Sequence, residues 1–425
     1  MFKRSRIIWC AAALTLPVLG QEDSANPLRG LTFTVNNEFS YDDNVLRQQD
    51  NKTTSRVWTF NPRVAYQIDR AGGTYTLAYD AVHNNYLDSS DDTDTNQTAS
   101  LRGEQKFNAF NKLGIVGSYN DGFEARGVGF NEGSNASQLG SPTPIIIKEL
   151  TGNYQLGADR ARMRLVGTAG YRATDRDSAL IINDSRDYQE ELLGASMLYR
   201  VGSRTDLVVE YRQREINYSR TPIDNLGREI PLDSQETLYL VGVDLEATAK
   251  TTAKVRVGTL ERDFKWESAQ WEDSAGGATE APEPAAAAPA QAPRSSGQDP
   301  FWELAAVWAP RSYSRFELSS RSSTRESLGI GSYVRSKDYV ISWTHNWSTR
   351  VGTKLDFSIA TDSYRDSGRV DDRKAANVAF TYDFDQRLST GLGYRYQDVR
   401  STAPGIAYDK SVFYIFANYR NQQTN

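Results

Sequence analysis

The residue types that most often carry out catalysis are scarce in this sequence. It contains 2 His and 1 Cys in 425 residues. His83 and His345 fall on the outward parity of predicted strands near opposite ends of the molecule, so no Ser-His-acid or Asp-His pair can form in one site. The sequence therefore predicts no catalytic residue, no cofactor and a protein that is not an enzyme.

Two stretches resemble ligand-binding loops only in part. DSSDDTDT, residues 88–95, is acidic enough to hold calcium, yet it lacks the glycine and the distal glutamate of a standard calcium loop. GVGFNEG, residues 127–133, has the wrong spacing for a phosphate loop and no following helix. We expect no metal site here, and a flexible outer loop at 127–133.

Charged side chains of both signs recur on one face of the predicted strands. Arg and carboxylate groups can each hydrogen-bond hydroxyls, so such a face suits a neutral or weakly acidic polyhydroxylated solute. The alternative is that these residues pair with one another across strands and support the wall. The candidate lumen-lining residues are Arg63, Asp80, Arg102, Glu104, Arg164, Arg172, Glu210, Arg212, Arg214, Arg256 and Arg395.

The elements that position these charges are predicted to be antiparallel strands. AYQIDRAGGTYTLAY, residues 65–79, alternates on both sides of Gly72-Gly73, which is the signature of a hairpin. One face carries Tyr66, Ile68 and Leu77, and the other is small or polar. Such an apolar face meets a second sheet in a soluble sandwich and meets lipid in an outer-membrane barrel.

The start of the chain favours export from the cytoplasm. Basic residues precede an apolar run over 7–19, so residues 1–20 are predicted to be a secretory signal peptide. That run is short for a transmembrane helix and no other stretch approaches 18 apolar residues, so any membrane span must be β. Cys10 lies in the signal peptide, which excludes a disulfide scaffold. The net charge of −5 gives no indication of a nucleic-acid partner.

Eighteen alternating segments follow one another, joined by eight short turns and nine longer connections in strict alternation. An even-stranded outer-membrane barrel requires this arrangement, and eighteen strands leave an aqueous channel. We therefore predict an all-β transmembrane antiparallel barrel over 31–420, after a periplasmic lead over 21–30 and before a tail over 421–425. The apolar face contacts lipid. Trp302, Trp308, Trp343 and Trp347 are expected near strand ends as an aromatic girdle, or as ordinary cross-strand packing.

One long connection, 266–300, contains an Ala/Pro-rich stretch over 274–297 that cannot build a core. It is predicted to be a disordered tether outside the cell; the alternative is a constriction or gate. The short lead predicts neither a plug domain nor a periplasmic repeat array, which argues against a siderophore receptor.

FSYDDNVLR, residues 39–47, resembles the first strand of the outer-membrane barrels associated with exopolysaccharide and capsule gene clusters, the family called Putative beta-barrel porin 2. Four later segments show a similar local pattern: GYRATDRDS (170–178), EYRQREINY (210–218), TLERDF (259–264) and GYRYQDVRS (393–401). One departure is that Tyr419 is followed by six further residues, whereas such barrels usually finish on the aromatic residue.

The resemblance implies a Gram-negative outer-membrane channel that exports a secreted polysaccharide. Its expected partners are outer-membrane lipid, the polysaccharide and periplasmic or inner-membrane export proteins. Two alternatives stay open. One is an uptake porin for sugars or other small solutes, and the other is a structural or adhesive barrel that acts through its extracellular loops.

Overall fold

The computed structural model describes residues 30–133, 135–177, 187–220, 232–248, 250–265, 296–327 and 331–421. The predicted signal peptide, residues 21–29 of the predicted lead and nearly all of the Ala/Pro-rich stretch lie outside these ranges.

The described chain forms eighteen antiparallel strands in one closed sheet, because β1 pairs with both β2 and β18. The first nine are β1 (Gly30–Asp42), β2 (Ser55–Arg70), β3 (Gly73–Tyr86), β4 (Asp94–Lys106), β5 (Asn111–Glu124), β6 (Thr143–Leu156), β7 (Met163–Arg176), β8 (Tyr188–Gly202) and β9 (Thr205–Tyr218). The others are β10 (Ser234–Thr248), β11 (Thr251–Phe264), β12 (Gly297–Arg311), β13 (Ser314–Glu326), β14 (Tyr333–Asn346), β15 (Val351–Tyr364), β16 (Val370–Asp383), β17 (Leu388–Ser401) and β18 (Tyr408–Arg420). The predicted all-β barrel of eighteen strands is confirmed.

Alternation of side chains sorts each strand into an apolar outer face and a mostly polar inner face. On β3 the exposed Leu77 and Tyr79 point outward, while Ala78 between them is buried. Large apolar side chains are exposed around the barrel, as with Leu193 at 63% and Phe413 at 60%. A continuous apolar belt of this kind is stable only against lipid, and closure pairs the backbone groups that a bilayer cannot hydrate.

The two rims differ as the sequence predicts. Eight short connections form what we call the turn rim, and nine connections, most of them longer, form the loop rim. Gly72 shows why the turns are tight: its φ is +77°, and a Cβ there would lie 2.5 Å from the carbonyl oxygen of Lys106. The loop rim carries 3-10 turns at Ser90–Asp92 and Gly129–Asn131 and the one-turn helix α1 (Asn135–Gln138). No helix within the described ranges is long and apolar enough to cross a membrane.

Aromatic rings line the outer face at the turn rim. Trp308 stacks on Phe316 at 5.1 Å between ring centroids, Phe316 stacks on Trp343 at 6.0 Å, and Trp347 lies 6.3 Å from Trp343. These rings occupy the position of an interfacial belt. Trp302 differs from the expectation because it lies well inside β12, where its indole N–H donates to Ser320 Oγ at 3.0 Å.

The seam between β12 and β13 is paired over only part of its length. Pairing runs from Arg311 and Ser314 up to Glu303 and Arg321 and then stops. Beyond that point β12 continues to pair with β11 as far as Gly297, and β13 continues to pair with β14 as far as Glu326. The sheet is therefore parted at this seam near the loop rim.

Candidate functional site: the barrel lumen

The barrel encloses a cavity of about 1960 Å³. It reaches the turn rim at Arg160 and Ser203, and on the β1–β3 side it extends up to Asp42 and Tyr86 near the loop rim. Its wall is built from inward-facing charged, hydroxyl and amide side chains. Five of the candidate lining residues border it: Arg164, Glu210, Arg212, Arg256 and Arg395.

Charges of opposite sign are paired along β9–β12. Arg212 lies between two carboxylates, with its Nε 2.5 Å from Glu210 Oε1 and its Nη1 3.1 Å from Glu303 Oε1. Arg256 Nη2 lies 2.7 Å from Asp244 Oδ1. Each group therefore has a partner from which a hydroxyl of a passing solute can take over a hydrogen bond.

Similar pairs continue around the rest of the cavity wall. Asp206 accepts from Arg200 Nε at 2.7 Å and also contacts Arg164. On the opposite side Arg395 contacts Glu38, and Lys354 Nζ lies 3.1 Å from Asp356 Oδ2. The cavity thus presents both signs of charge on all sides.

The other candidate residues lie elsewhere on the wall. Arg63 pairs with Asp80 on the adjacent strand at 2.7 Å, and Glu104 Oε2 lies 3.7 Å from Lys112 Nζ. With Arg102 on β4, these residues keep the inward parity but do not border the cavity. Arg172 and Arg214 are enclosed within the wall, as described below. A role in transport for any of the eleven residues stays a prediction.

The outer face of β13 is buried near the loop rim. Thr324 and Glu326 share the parity of the lipid-facing Leu318, yet Thr324 Oγ1 donates to Glu236 Oε1 at 2.5 Å and Glu326 accepts from Arg262. Glu236 and Arg262 project inward from β10 and β11. The end of β13 therefore lies inside the barrel, with its outer face against the inner face of the preceding strands.

The start of β14 lies inside the barrel in the same way. Tyr333 Oη donates to Asp299 Oδ2 at 2.6 Å, and Arg335 Nη1 lies 2.9 Å from Asp299 Oδ1, although both residues share the parity of the outward Tyr339. We call residues 322–326 and 333–335 the flap, and the double layer that it forms over β9–β12 the overlap. The overlap is the reason why this side of the lumen is filled near the loop rim.

An ionic cluster is buried within the overlap. Arg262 Nη1 lies 3.0 Å from Glu236 Oε1, and both side chains are fully buried. Arg214 Nε donates to Glu236 Oε2 at 2.9 Å, and its Nη1 lies 3.3 Å from Glu190 Oε1. Arg172 is buried nearby against Glu149 at 3.1 Å. Arg172 and Arg214 thus face inward as predicted, but the flap and the neighbouring side chains separate them from the open cavity.

Apolar side chains lie on the inner face beneath the flap. Leu238, Leu240, Leu260 and Phe301 project inward from β10–β12 and form one buried cluster. Because neighbouring outward positions are also apolar, TLYLVGVDL is a nearly continuous apolar run of the kind found in strands buried on both faces. That run is the sequence signal for the overlap.

A second element covers the mouth from the other side. The connection between β5 and β6, described over 125–133 and 135–142, is what we call the strap; it crosses to the opposite side of the loop rim, where Glu132 Oε1 lies 2.6 Å from Arg369 Nη1. Gly127 has a φ of +76°, and a Cβ there would lie 2.2 Å from the carbonyl oxygen of Leu46. Burial raises the pKa of the Glu132 carboxyl above its ordinary value of 4.5, although the hydrogen bond from Arg369 acts against this.

Two carboxylates of the acidic loop considered as a calcium site, Asp88 and Asp92, are used in ion pairs. Asp92 receives two hydrogen bonds from Arg126, at 2.7 and 2.6 Å. Asp88 pairs with Arg56 at 2.7 Å, and hydrogen bonds from the Arg56 side chain and backbone lower the pKa of Asp88 to about 2. Within the described ranges no group of three or more His, Cys, Asp or Glu is arranged to hold a metal ion.

A closed antiparallel barrel with an apolar outer belt and a wet lumen is a porin-like β-barrel of a Gram-negative outer membrane, in contact with lipid. Residues 303–421 match the family described as Putative beta-barrel porin 2. This match confirms the resemblance noted in the sequence, and the closed eighteen-stranded sheet has the architecture of an outer-membrane barrel.

Several solved outer-membrane proteins are similar to this chain. The FrpB iron transporter from Neisseria meningitidis is 10% identical, with 92% of this chain and 81% of that chain covered and a TM-score of 0.48. The outer membrane protein OpdK from Pseudomonas aeruginosa is 10% identical, with 92% and 99% covered and a TM-score of 0.45. The siderophore receptor PirA from Acinetobacter baumannii is 7% identical, with 92% and 80% covered and a TM-score of 0.44. No curated protein matches the sequence.

Proposed function

We propose that this protein is the outer-membrane channel through which a polysaccharide, exopolysaccharide or capsule, is exported. The observation that carries the proposal is the cavity of about 1960 Å³ whose wall alternates Arg and carboxylate groups. A polymer rich in hydroxyls can exchange hydrogen bonds along such a wall without being held at one point, because each contact replaces another of similar strength.

The shape of the cavity favours loading from the periplasm. It reaches the turn rim, which faces the periplasm in barrels of this kind, while the strap and the overlap cover much of the loop rim. A chain arriving from an inner-membrane or periplasmic export apparatus would enter the open end first. The uptake alternative requires entry through the covered end.

The test is a clean gene deletion in the native bacterium, complemented by the wild-type gene, with secreted and periplasmic carbohydrate measured side by side. Loss of secreted polysaccharide with accumulation in the periplasm supports export. Unchanged secretion contradicts it, and poor growth on a sugar with intact secretion would point to the uptake porin instead.

Complementation with variants then tests the lumen itself. We expect the pair Arg212→Ala and Arg256→Ala to reduce secretion while the barrel still assembles in the outer membrane. Arg56→Ala is the matched control because its ion pair with Asp88 lies at the loop rim. Equal secretion from both variants would contradict a transport role for the β9–β12 charges.

A further inference from the structure

The geometry points to the flap as the gate of the channel: the ends of β13 and β14 that lie inside the barrel swing outward to open the lumen at the loop rim. The inference rests on the proposed function for its purpose, and it concerns the regulation of the same lumen. It stands on three observations, which are the parted seam, the chemistry of the overlap and the position of Pro300.

The parted seam provides a hinge. Pairing between β12 and β13 stops at Glu303 and Arg321, and the flap begins at the next residue of β13. β13 and β14 remain paired with each other up to Glu326 and Tyr333, and β14 also stays paired with β15 as far as Val334 and Tyr364, so the flap is the free edge of a continuous sheet and moves with β15. The paired half of the β12–β13 seam near the turn rim holds this edge in the barrel.

Side-chain contacts, many of them ionic, hold the flap down. Arg262 and Asp299 on the underlying strands bind Glu326, Tyr333 and Arg335 of the flap. A buried ion pair adds little net stability, because bringing its charges out of water offsets their attraction. When the flap lifts, the ionic groups regain water at little net cost, but the apolar cluster beneath the flap is exposed, so the closed state is expected to be the favoured one and the open state the minor one.

The open state has backbone hydrogen bonds to gain. If the existing register continued past Glu303 and Arg321, Trp302 would pair with Ser322 and Pro300 with Thr324. Closing the seam in this way would return the flap to the wall of the barrel and restore its outward face to the outside. Two arrangements of this sheet edge, each with its own contacts, constitute a two-state element.

Pro300 keeps the open state from dominating. Its carbonyl oxygen accepts from Arg335 Nη2 at 3.4 Å, so it points toward the flap rather than toward β11. The nitrogen of a strand residue faces the same side as its carbonyl, and proline has no N–H to donate there. Proline is restricted to strand edges and bulges for this reason, which matches its place on the parted edge of β12.

The experiment measures single-channel conductance of the purified full-length barrel in planar bilayers. The double substitution Thr324→Ala and Glu326→Gln removes the hydroxyl that donates to Glu236 and the charge that pairs with Arg262, and we expect it to raise conductance about fivefold. Glu149→Gln is the matched control. It removes a carboxylate charge from the pair with the buried Arg172, but that pair joins adjacent paired strands, so the conductance of this variant should equal that of the wild type.

A covalent crosslink between the flap and the strand beneath it provides a second test. Asp299→Cys and Arg335→Cys place two thiols across the overlap, and Cys10, the chain's one native cysteine, precedes the barrel. In the release variant a reducible bifunctional thiol crosslinker should return conductance to the wild-type level, and reduction should raise it again. The pair Leu355→Cys and Val378→Cys, neighbours on the lipid face of β15 and β16, should lock nothing.

The gate is contradicted if the release variant keeps the heat-modifiable mobility of a folded barrel but conducts like the wild type. It is also contradicted if the crosslinked release variant keeps a high conductance. Salt conductance needs no polysaccharide, so these outcomes are independent of the secretion assay. Loss of the export function would leave the gate standing, and loss of the gate would leave export standing.

Discussion

The seams β12–β13 and β15–β16 join strands of similar length, and they are built differently. β15 and β16 pair without interruption from Val351 and Tyr382 to Ser363 and Val370. β12 and β13 separate after Glu303 and Arg321. The inward residues explain the difference. Asp356 and Asn377 on β15 and β16 border the wet lumen, whereas Leu240 on β10 and Phe301 on β12 need cover.

A barrel wall can have one layer or two, depending on whether its inner face is polar or apolar. A polar inner face is solvated by the lumen and needs no partner. An apolar inner face must be covered, and here the next hairpin along the chain covers it from within. The burial of Arg262 and Glu236 is a consequence of that cover.

The largest effect should come from leaving a charge of the overlap without its partner. Arg262→Ala leaves Glu236 and Glu326 without this guanidinium, and removal of one member of a buried pair destabilises a protein by about 3–5 kcal/mol. We expect a loss of this order in the free energy of unfolding, measured by denaturant titration of the barrel in lipid vesicles. Arg56→Ala at the exposed Asp88 pair should give no measurable change. Equal losses from the two variants would show that the buried ion pairs of the overlap contribute no more to stability than an exposed pair.

The apolar layer is tested next. Leu240→Ala removes a buried side chain beneath the flap and should lower the free energy of unfolding by about 2–3 kcal/mol. Ser358→Ala, at an inward position of the single-layered wall, is the control and should be nearly neutral. A Leu240→Ala barrel as stable as the wild type would show that the flap does not pack on this layer.

The strap should respond to pH in a defined direction. The pKa of Glu132 is raised in the closed strap, so closing takes up a proton and acidification from neutral pH toward 4.5 favours the closed state. We expect conductance to fall by about twofold over this range. Arg369 and Arg325 lower the pKa of this carboxyl and Asp371 raises it, and burial makes the largest contribution. Glu132→Gln should abolish the pH dependence; a variant that keeps it would place the titrating group elsewhere.

The smallest effect is expected at the parted edge. Pro300→Thr restores one backbone N–H donor facing the flap. It should favour the open state, in which β12 and β13 pair past Glu303 and Arg321, by about 1 kcal/mol or less. Conductance of this variant should exceed that of the wild type by a modest factor. Ala309→Thr, in the paired half of β12, serves as the control. A lower conductance for Pro300→Thr would reverse the assigned role of the proline.

Most of the barrel was predictable because its signals are local. Alternation in a stretch such as 65–79 reports which side chains face lipid, and glycine at Gly72 reports the turn. The lengths of the connections then distinguish the two rims. These features depend on neighbours in the chain or on the adjacent strand, where a period of two residues suffices.

The overlap was not predicted because it joins strands that are not neighbours. At Thr324 and Glu326 the alternation indicates a lipid-facing position, and only contacts with Glu236 and Arg262, two to three strands away, reverse that assignment. Arg172 and Arg214 were placed on the correct face, but the layer above them cannot be read from a single strand. Two signals were available in the sequence: the run in β10 that is apolar on both faces, and Pro300 in β12.

The meeting of the first and last strands bears on how the barrel is made. Asn421 donates its backbone N–H to the carbonyl of Phe33 and accepts the Phe33 N–H on its side chain, across 388 residues of chain. Loop-closure entropy must be overcome before these bonds contribute, so we expect this contact to form late in folding. Until it forms, β1 and β18 are two open edges of a sheet. The pairing of β1 with β18, which Asn421 extends by one residue, removes both of these edges and with them a site at which another chain could pair.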